Sequence, residues 1–169
     1  LRSMPAESVH CVITSPPYWA QRRYLPANHP DADKMIGLEP EPETYIENIV
    51  RVFAEVRRIL RTDGNLWLNL GDKFWGGKGQ NARLDKTIHS RKALQRAETR
   101  IEDILTLPGD GKHSIYKTKD MCGLPWRLAF ALQSDGWWLR RDIIWHKLGP
   151  MPESVTDRPT SAHEYIFLL

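Results

Sequence analysis

Val9-His10-Cys11-Val12-Ile13-Thr14-Ser15-Pro16-Pro17-Tyr18-Trp19 is the stretch on which the fold turns. Val9 to Ile13 has the length and β-branched content of a buried strand in a parallel sheet. The paired prolines beyond it cannot extend that strand. Pro16 and Pro17 each fix φ at about −65° and each lack an N–H, so the loop is stiff and its carbonyls are left to accept from another group. Tyr18 and Trp19 add flat π faces at once. A rigid acceptor beside an aromatic face suits a planar amide-like group, such as a nucleobase whose exocyclic amine is held while its ring is stacked. The carboxyl end of a strand is also where ligands collect in open α/β sheets.

Downstream, 20–43 is rich in Pro, Asp and Asn, carries basic Arg22, Arg23 and Lys34, and reads as a long irregular loop beside this motif. Thr44 with Glu47 forms a capping box, and Ile46, Ile49, Val50, Phe53, Val56 and Leu60 recur at helical spacing until Asp63-Gly64 interrupts them. The arginines at 51, 57, 58 and 61 form the solvated face. Asn65 to Leu70 is the second strand, closing on Gly71-Asp72, and strand, helix, strand is a βαβ unit with a parallel pair. Pro125 suits a helix's first turn, and Leu124, Leu128, Ala131 and Leu132 make one apolar face that Gly136 ends. Trp137 to His146 reads as a long strand, with Ile143, Ile144 and Trp145 its buried part. Gly149-Pro150 and Pro152 break it, and Glu164 to Leu169 begins another. Four strands with interposed helices predict α/β architecture.

The segment 73–119 changes character, with eleven Lys or Arg against five Asp or Glu and the run Gly76-Gly77-Lys78-Gly79. It reads as a basic insertion, with a helix expected from Arg91 to Leu105. A phosphate-binding loop of the NTPase kind is excluded, because no Ser or Thr follows the lysine at the required spacing. Lys73 and Lys78 are candidate DNA-backbone contacts, the alternative being a solvated, disordered segment.

At 169 residues the chain has the size of one domain, and 41% hydrophobic content with seven Trp suffices for a core. It has no apolar run long enough for a membrane span and no signal-peptide pattern, so the expected location is the cytoplasm. Cys11 and Cys122 are too few for a disulfide framework and are expected to be reduced core thiols. His146 lacks a second ligand at metal spacing, and no metal is expected. A net charge of +3 permits a polyanionic partner without demanding one.

Ser15-Pro16-Pro17-Tyr18 behind a hydrophobic strand resembles the catalytic motif of the DNA amino-methyltransferases, which methylate N4 of cytosine or N6 of adenine from S-adenosylmethionine. Gly37-Leu38-Glu39-Pro40, Leu66-Trp67-Leu68-Asn69-Leu70-Gly71-Asp72, Asp142-Ile143-Ile144-Trp145-His146-Lys147, and Met151-Pro152-Glu153-Ser154 running into Asp157-Arg158-Pro159-Thr160 match in the family's order. They look most like the bacterial and phage enzymes that place this motif ahead of the cofactor loop. The resemblance implies the Rossmann-like fold of S-adenosylmethionine-dependent methyltransferases, with the last two strands here pairing antiparallel at one edge of a seven-stranded, mostly parallel sheet.

It also implies roles. Ser15 and the Pro16 carbonyl, stiffened by Pro17, would accept from the target amine, and Tyr18 would stack on the flipped base. Thr14 and Ser15 would face the cofactor. Trp19, Trp145, His146, Lys147 and Arg158 would line the base pocket or touch DNA. The implied partners are double-stranded DNA and, in a restriction-modification setting, a cognate restriction endonuclease. Cytosine-C5 chemistry is excluded by the lack of a Pro-Cys pair. Ser before Pro-Pro favours cytosine N4, with adenine N6 the alternative and a non-catalytic nucleic-acid-binding domain the rival from another class. The family's Phe-x-Gly-x-Gly cofactor loop does not occur in the sequence. It and a target-recognition segment are expected beyond Leu169, so this piece alone is expected to be a fragment cut at both ends and inactive.

Overall fold

The computed structural model describes residues 1–26, 28–76, 108–109, 112–150 and 155–169. The expected helix at 91–105, Lys78 and the segment 151–154 lie outside these. The described chain divides into two compact units, one made of Leu1–Tyr18, Ile46–Asp72 and Gly123–Leu169, the other of Trp19–Tyr45 and Lys73–Cys122.

The first unit is built on a mixed sheet of four strands. In chain order its elements are β1 (Val9–Thr14), α1 (Pro42–Ile59, whose first turn belongs to the second unit), β2 (Leu60–Leu70), α2 (Leu124–Ser134), β3 (Arg141–His146) and β4 (His163–Leu168). The sheet order is β1-β2-β4-β3. β1 and β2 run parallel, as the βαβ reading predicts, and β4 pairs antiparallel with both β2 and β3. The expected antiparallel pair therefore lies at one edge.

Two boundaries around the first crossover differ from expectation. α1 begins at Pro42, two residues before the Thr44 cap, because proline in a first turn has no N–H to lose and its fixed φ suits the helix. Asp63-Gly64 does not separate helix from strand but lies within β2, where the register with β1 jumps from Val9↔Leu60 to Cys11↔Asn65. The bulge is tight, since a Cβ on Gly64 would sit 3.0 Å from the Arg61 carbonyl. Across it Arg61 Nε donates to Asp63 Oδ1 at 2.8 Å, which holds that carboxyl below its ordinary value.

The core follows the predicted periodicities. Ile49, Phe53, Val56 and Ile59 of α1 are buried, as are Leu66, Leu68 and Leu70 of β2 and Leu124, Leu128, Ala129 and Leu132 of α2. Ala129 takes the buried place expected of Ala131. Strand alternation puts Leu68 and Leu70 on one face with their β4 partners Phe167 and Tyr165. Trp126 of α2 lies edge-on to both of those rings. Asn69 and Glu164 fall on the opposite face.

β1 and β3 are not the buried strands expected of them. Each pairs with one neighbour among the described residues, leaving Ile13 80%, Ile144 53% and Trp145 47% exposed. Cys11 is exposed for the same reason, and only Cys122 is a core thiol. β3 is also shorter than expected. Trp137 belongs to the turn after α2, where its ring meets Phe53 edge-on. Among the described residues no helix is long and apolar enough to cross a membrane.

The second unit has no strand pairing beyond the isolated bridge Phe74↔Met121 among its described residues and is held by aromatics. Trp75 stacks on Trp19 and on Tyr116, with ring centroids 5.9 and 5.2 Å away. Trp19 Nε1 donates to the Glu39 carbonyl at 2.8 Å, and the Glu39 carboxylate accepts the Gly37 N–H at 2.8 Å. The Gly37-Leu38-Glu39-Pro40 motif thus fixes the loop that carries Trp19.

Candidate active site

β1 delivers Thr14 and Ser15 to the carboxyl end of the parallel pair, where Ser15 is exposed and Thr14, Pro16, Pro17 and Tyr18 are half-buried. The loop folds back so that the Tyr18 ring lies against Gly71, just past the end of β2. A Cβ at Gly71 would stand 2.6 Å from Tyr18 Cε2 and 2.8 Å from Cδ2, so only glycine leaves room for the ring. The ring is held from its other end as well. Tyr18 O–H donates to Asn69 Oδ1 at 2.7 Å, and Ser15 Oγ lies 3.1 Å from the Tyr18 hydroxyl and 3.3 Å from Asn69 Oδ1.

Asn69 is in turn fixed by β4. Its Nδ2 donates to the Tyr165 carbonyl at 3.0 Å and to Glu164 Oε2 at 3.3 Å. Glu164 Oε1 is paired with Lys147 Nζ at 3.3 Å, and that ammonium sits 3.3 Å from the centroid of the Trp145 ring. A continuous polar path thus runs from Ser15 through Tyr18, Asn69 and Glu164 to Lys147 and Trp145. It exists because antiparallel pairing sets Leu70 against Tyr165 and Trp145 against Glu164, gathering the start of β4 and the ends of β2 and β3 at one sheet end.

The sequence-derived candidates divide accordingly. Ser15 and Tyr18 come together with Trp145 and Lys147. His146 is exposed at the end of β3 opposite His163, and Arg158 is half-buried on the segment leading to β4. Trp19 requires correction as a pocket wall: it is fully buried, packed on Trp75 with its N–H spent, and offers no face to a base. Lys73 is also turned inward. Its Nζ donates to the carbonyls of Ala20 and Pro108, at 3.1 and 2.8 Å, and the residue is half-buried. Asn69 and Gly71 stand in the Leu66–Asp72 motif and Glu164 at the start of the last strand, but sequence alone assigned none of them a role in the site, although an Asn inside the apolar run of β2, one residue from the strand end, is a readable signal.

Asp72 follows Gly71 but serves the fold. Its carboxylate accepts the N–H groups of Gly123 and Leu124, each at 3.0 Å, capping α2 across the sheet end. In the second unit Glu41, Glu43 and His113 bring ligand-type atoms within 4.8 Å of one another. His113 Nδ1 there accepts the N–H groups of Ile115 and Tyr116, which leaves the proton on Nε2, 2.9 Å from Glu41 Oε2. Both ring nitrogens are engaged, so the group is a hydrogen-bonded pair within the aromatic cluster. A cavity of about 1010 Å³ opens elsewhere in the first unit, at the start of β2, lined by Arg57, Arg61, Trp67 and Trp138 and by no residue of the Ser15–Tyr18 loop.

A mixed sheet whose parallel βαβ pair carries a Ser-Pro-Pro-Tyr loop at its carboxyl end has the fold of the Rossmann-like methyltransferases. Residues 9–169 match the N6/N4 DNA methylase family model, and the chain belongs to that family. It is 43% identical over its full length to the Type II methyltransferase M.Cfr9I of Citrobacter freundii and to M.SmaI of Serratia marcescens, covering 50% and 51% of those proteins. Among solved structures, PvuII DNA methyltransferase, described as cytosine-N4-specific, aligns with 99% of this chain and 44% of its own at a TM-score of 0.57 and 16% identity. TTHA0409 of Thermus thermophilus, assigned as a DNA modification methylase and solved complexed with S-adenosyl-L-methionine, aligns with 99% of this chain and 47% of its own at a TM-score of 0.54 and 21% identity. The chain spans about half the length of the curated relatives it matches.

Proposed function

We propose that this chain carries the catalytic half of an S-adenosylmethionine-dependent DNA methyltransferase that modifies the exocyclic N4 of cytosine. The observation that carries the reading is the Ser15 hydroxyl, exposed at the mouth of β1 on a loop stiffened by two prolines and anchored by Asn69. An exocyclic amine is a poor nucleophile because its lone pair is delocalised into the ring. Ser15 Oγ and the Pro16 carbonyl, accepting from its two N–H groups, turn the lone pair out of the ring plane. So held, the lone pair would face a methyl group offered by a bound donor, and the proton the amine gives up on methylation would pass to solvent at the exposed mouth of the loop.

S-adenosylmethionine supplies the electrophilic methyl group. The residues present fit one side of it: Ser15 and Thr14 stand at the end of β1, whose outer edge is unpaired among the described residues and whose Ile13 is exposed. We assign the remaining cofactor contacts, with the glycine-rich loop and the target-recognition segment, to the half of the relatives' length that this chain does not span. The 73–119 segment is the insertion, with Lys78 a backbone contact. Double-stranded DNA is the substrate, with the target base flipped out against Tyr18 and the Trp145-His146-Lys147 and Arg158 region. Stacking at roughly 1 to 3 kcal/mol per base offsets much of the cost of flipping. The setting is a cytoplasmic restriction-modification system with a cognate endonuclease.

The choice of cytosine over adenine rests on Ser in place of Asp before Pro16. Nucleoside mass spectrometry of DNA treated with the full-length polypeptide tests it. N4-methylcytosine is expected, and N6-methyladenine alone would make adenine the substrate.

A further inference from the structure

We infer that Asn69 is a positioning residue that keeps Ser15 Oγ in acceptor form toward the target amine, an inference that rests on the functional reading above. A serine hydroxyl carries one proton and two lone pairs, and its rotor turns to suit its surroundings. To accept from an amine N–H, Ser15 must send its own proton elsewhere, because a proton aimed at the amine repels the group to be held.

The geometry supplies two places for that proton. Tyr18 gives its proton to Asn69 Oδ1 at 2.7 Å, so the Tyr18 oxygen is left as an acceptor 3.1 Å from Ser15 Oγ. Asn69 Oδ1 itself, 3.3 Å from Ser15, is the second. Either choice leaves the lone pairs of Ser15 facing outward. The arrangement works only while the amide presents oxygen and not nitrogen to the hydroxyls. β4 enforces this, because Nδ2 is directed at the Tyr165 carbonyl and Glu164 Oε2, and a flipped amide would set oxygen against two acceptors. Lys147 holds Glu164 in place behind it. Asn69 thus acts through Ser15 and Tyr18, which are the groups that meet the base.

The test is a set of variants in the full-length enzyme, read as kcat, KM for duplex DNA and cofactor Kd. Asn69→Leu is expected to lower kcat by about 10- to 100-fold while KM and Kd stay within about twofold, the pattern of an interaction that matters in the transition state. In a Ser15→Asp background the same substitution is expected to change kcat by less than about threefold, because a carboxylate has no proton to dispose of and can take the Tyr18 proton directly. An equal loss in both backgrounds, or a loss confined to KM, would assign Asn69 to packing and overturn the inference. Should Ser15→Asp turn over too slowly to measure, the pair Tyr18→Phe and Asn69→Leu decides. Each removes one of the two acceptors of Ser15, so the double variant is expected to lose more than the product of the single losses, and a loss at or below that product overturns the inference. Failure of the unmodified enzyme to methylate DNA at all would remove the functional reading and this inference with it.

Discussion

Replacing Gly71 with alanine separates the seat of the Tyr18 ring from the rest of the fold. The new Cβ would lie 2.6 Å from Cε2, about 0.8 Å inside ordinary van der Waals contact, and nothing in the Gly71 backbone requires glycine on its own account. The ring must therefore retreat, and its hydroxyl is tied at 2.7 Å to Asn69. A retreat of about 0.8 Å stretches that bond to about 3.5 Å, the limit of a useful hydrogen bond. Overpacking of this kind costs about 1 to 3 kcal/mol of stability, whereas a displacement near 1 Å in a catalytic group costs about 10²-fold in rate. Urea unfolding and methyl-transfer assays on the full-length Gly71→Ala enzyme should show a folded protein with activity down by about two orders of magnitude. Wild-type activity in a folded Gly71→Ala protein would mean that the Tyr18 position is irrelevant to chemistry.

Tyr18→Ala should cost about 1 to 3 kcal/mol in transition-state terms through lost base stacking, and Tyr18→Phe less, since the ring and the Ser15 to Asn69 contact remain. Equal losses in steady-state kinetics would shift the role from the ring to the hydroxyl. Asp72→Ala removes both N–H partners at the start of α2 and should lower stability by about 0.5 to 2 kcal/mol in urea titration, and an unchanged midpoint would show that water caps the helix as well. Calorimetry on residues 1–169 alone should detect very weak S-adenosylmethionine binding if, as proposed, these residues supply only the β1 side of the pocket, and micromolar affinity would show that the pocket is complete in these residues.

The βαβ unit and the helix periodicities were legible because they depend on local spacing: Ile49, Phe53 and Val56 recur at helical intervals whatever they pack against. The motif loop was legible because Pro16 and Pro17 act on their own backbone. Exposure of Ile13, Ile144 and Trp145 was not, since an apolar run reports an affinity for burial and not the number of neighbouring strands. Trp19 was misplaced because an aromatic after Tyr18 reads the same in a pocket wall as in a core, and its partners Glu39 and Trp75 are set by the loop path. The role of Asn69 depends on the register between β2 and β4, which brings Glu164 and Tyr165 to it across 95 and 96 residues of sequence. Asp63-Gly64 carried a correct local signal, a break in regular structure, that the sheet absorbed as a bulge.

In the proposed mechanism Ser15 takes part in the transfer itself. Methyl incorporation into duplex DNA, measured beside DNA affinity for the full-length enzyme and its Ser15→Ala variant, tests it most directly. Incorporation is expected to fall by at least about 10²-fold while affinity for DNA is retained, as for the loss of a preorganised transition-state acceptor. Methylation left intact with only DNA affinity weakened would contradict it and make the motif a nucleic-acid-binding loop.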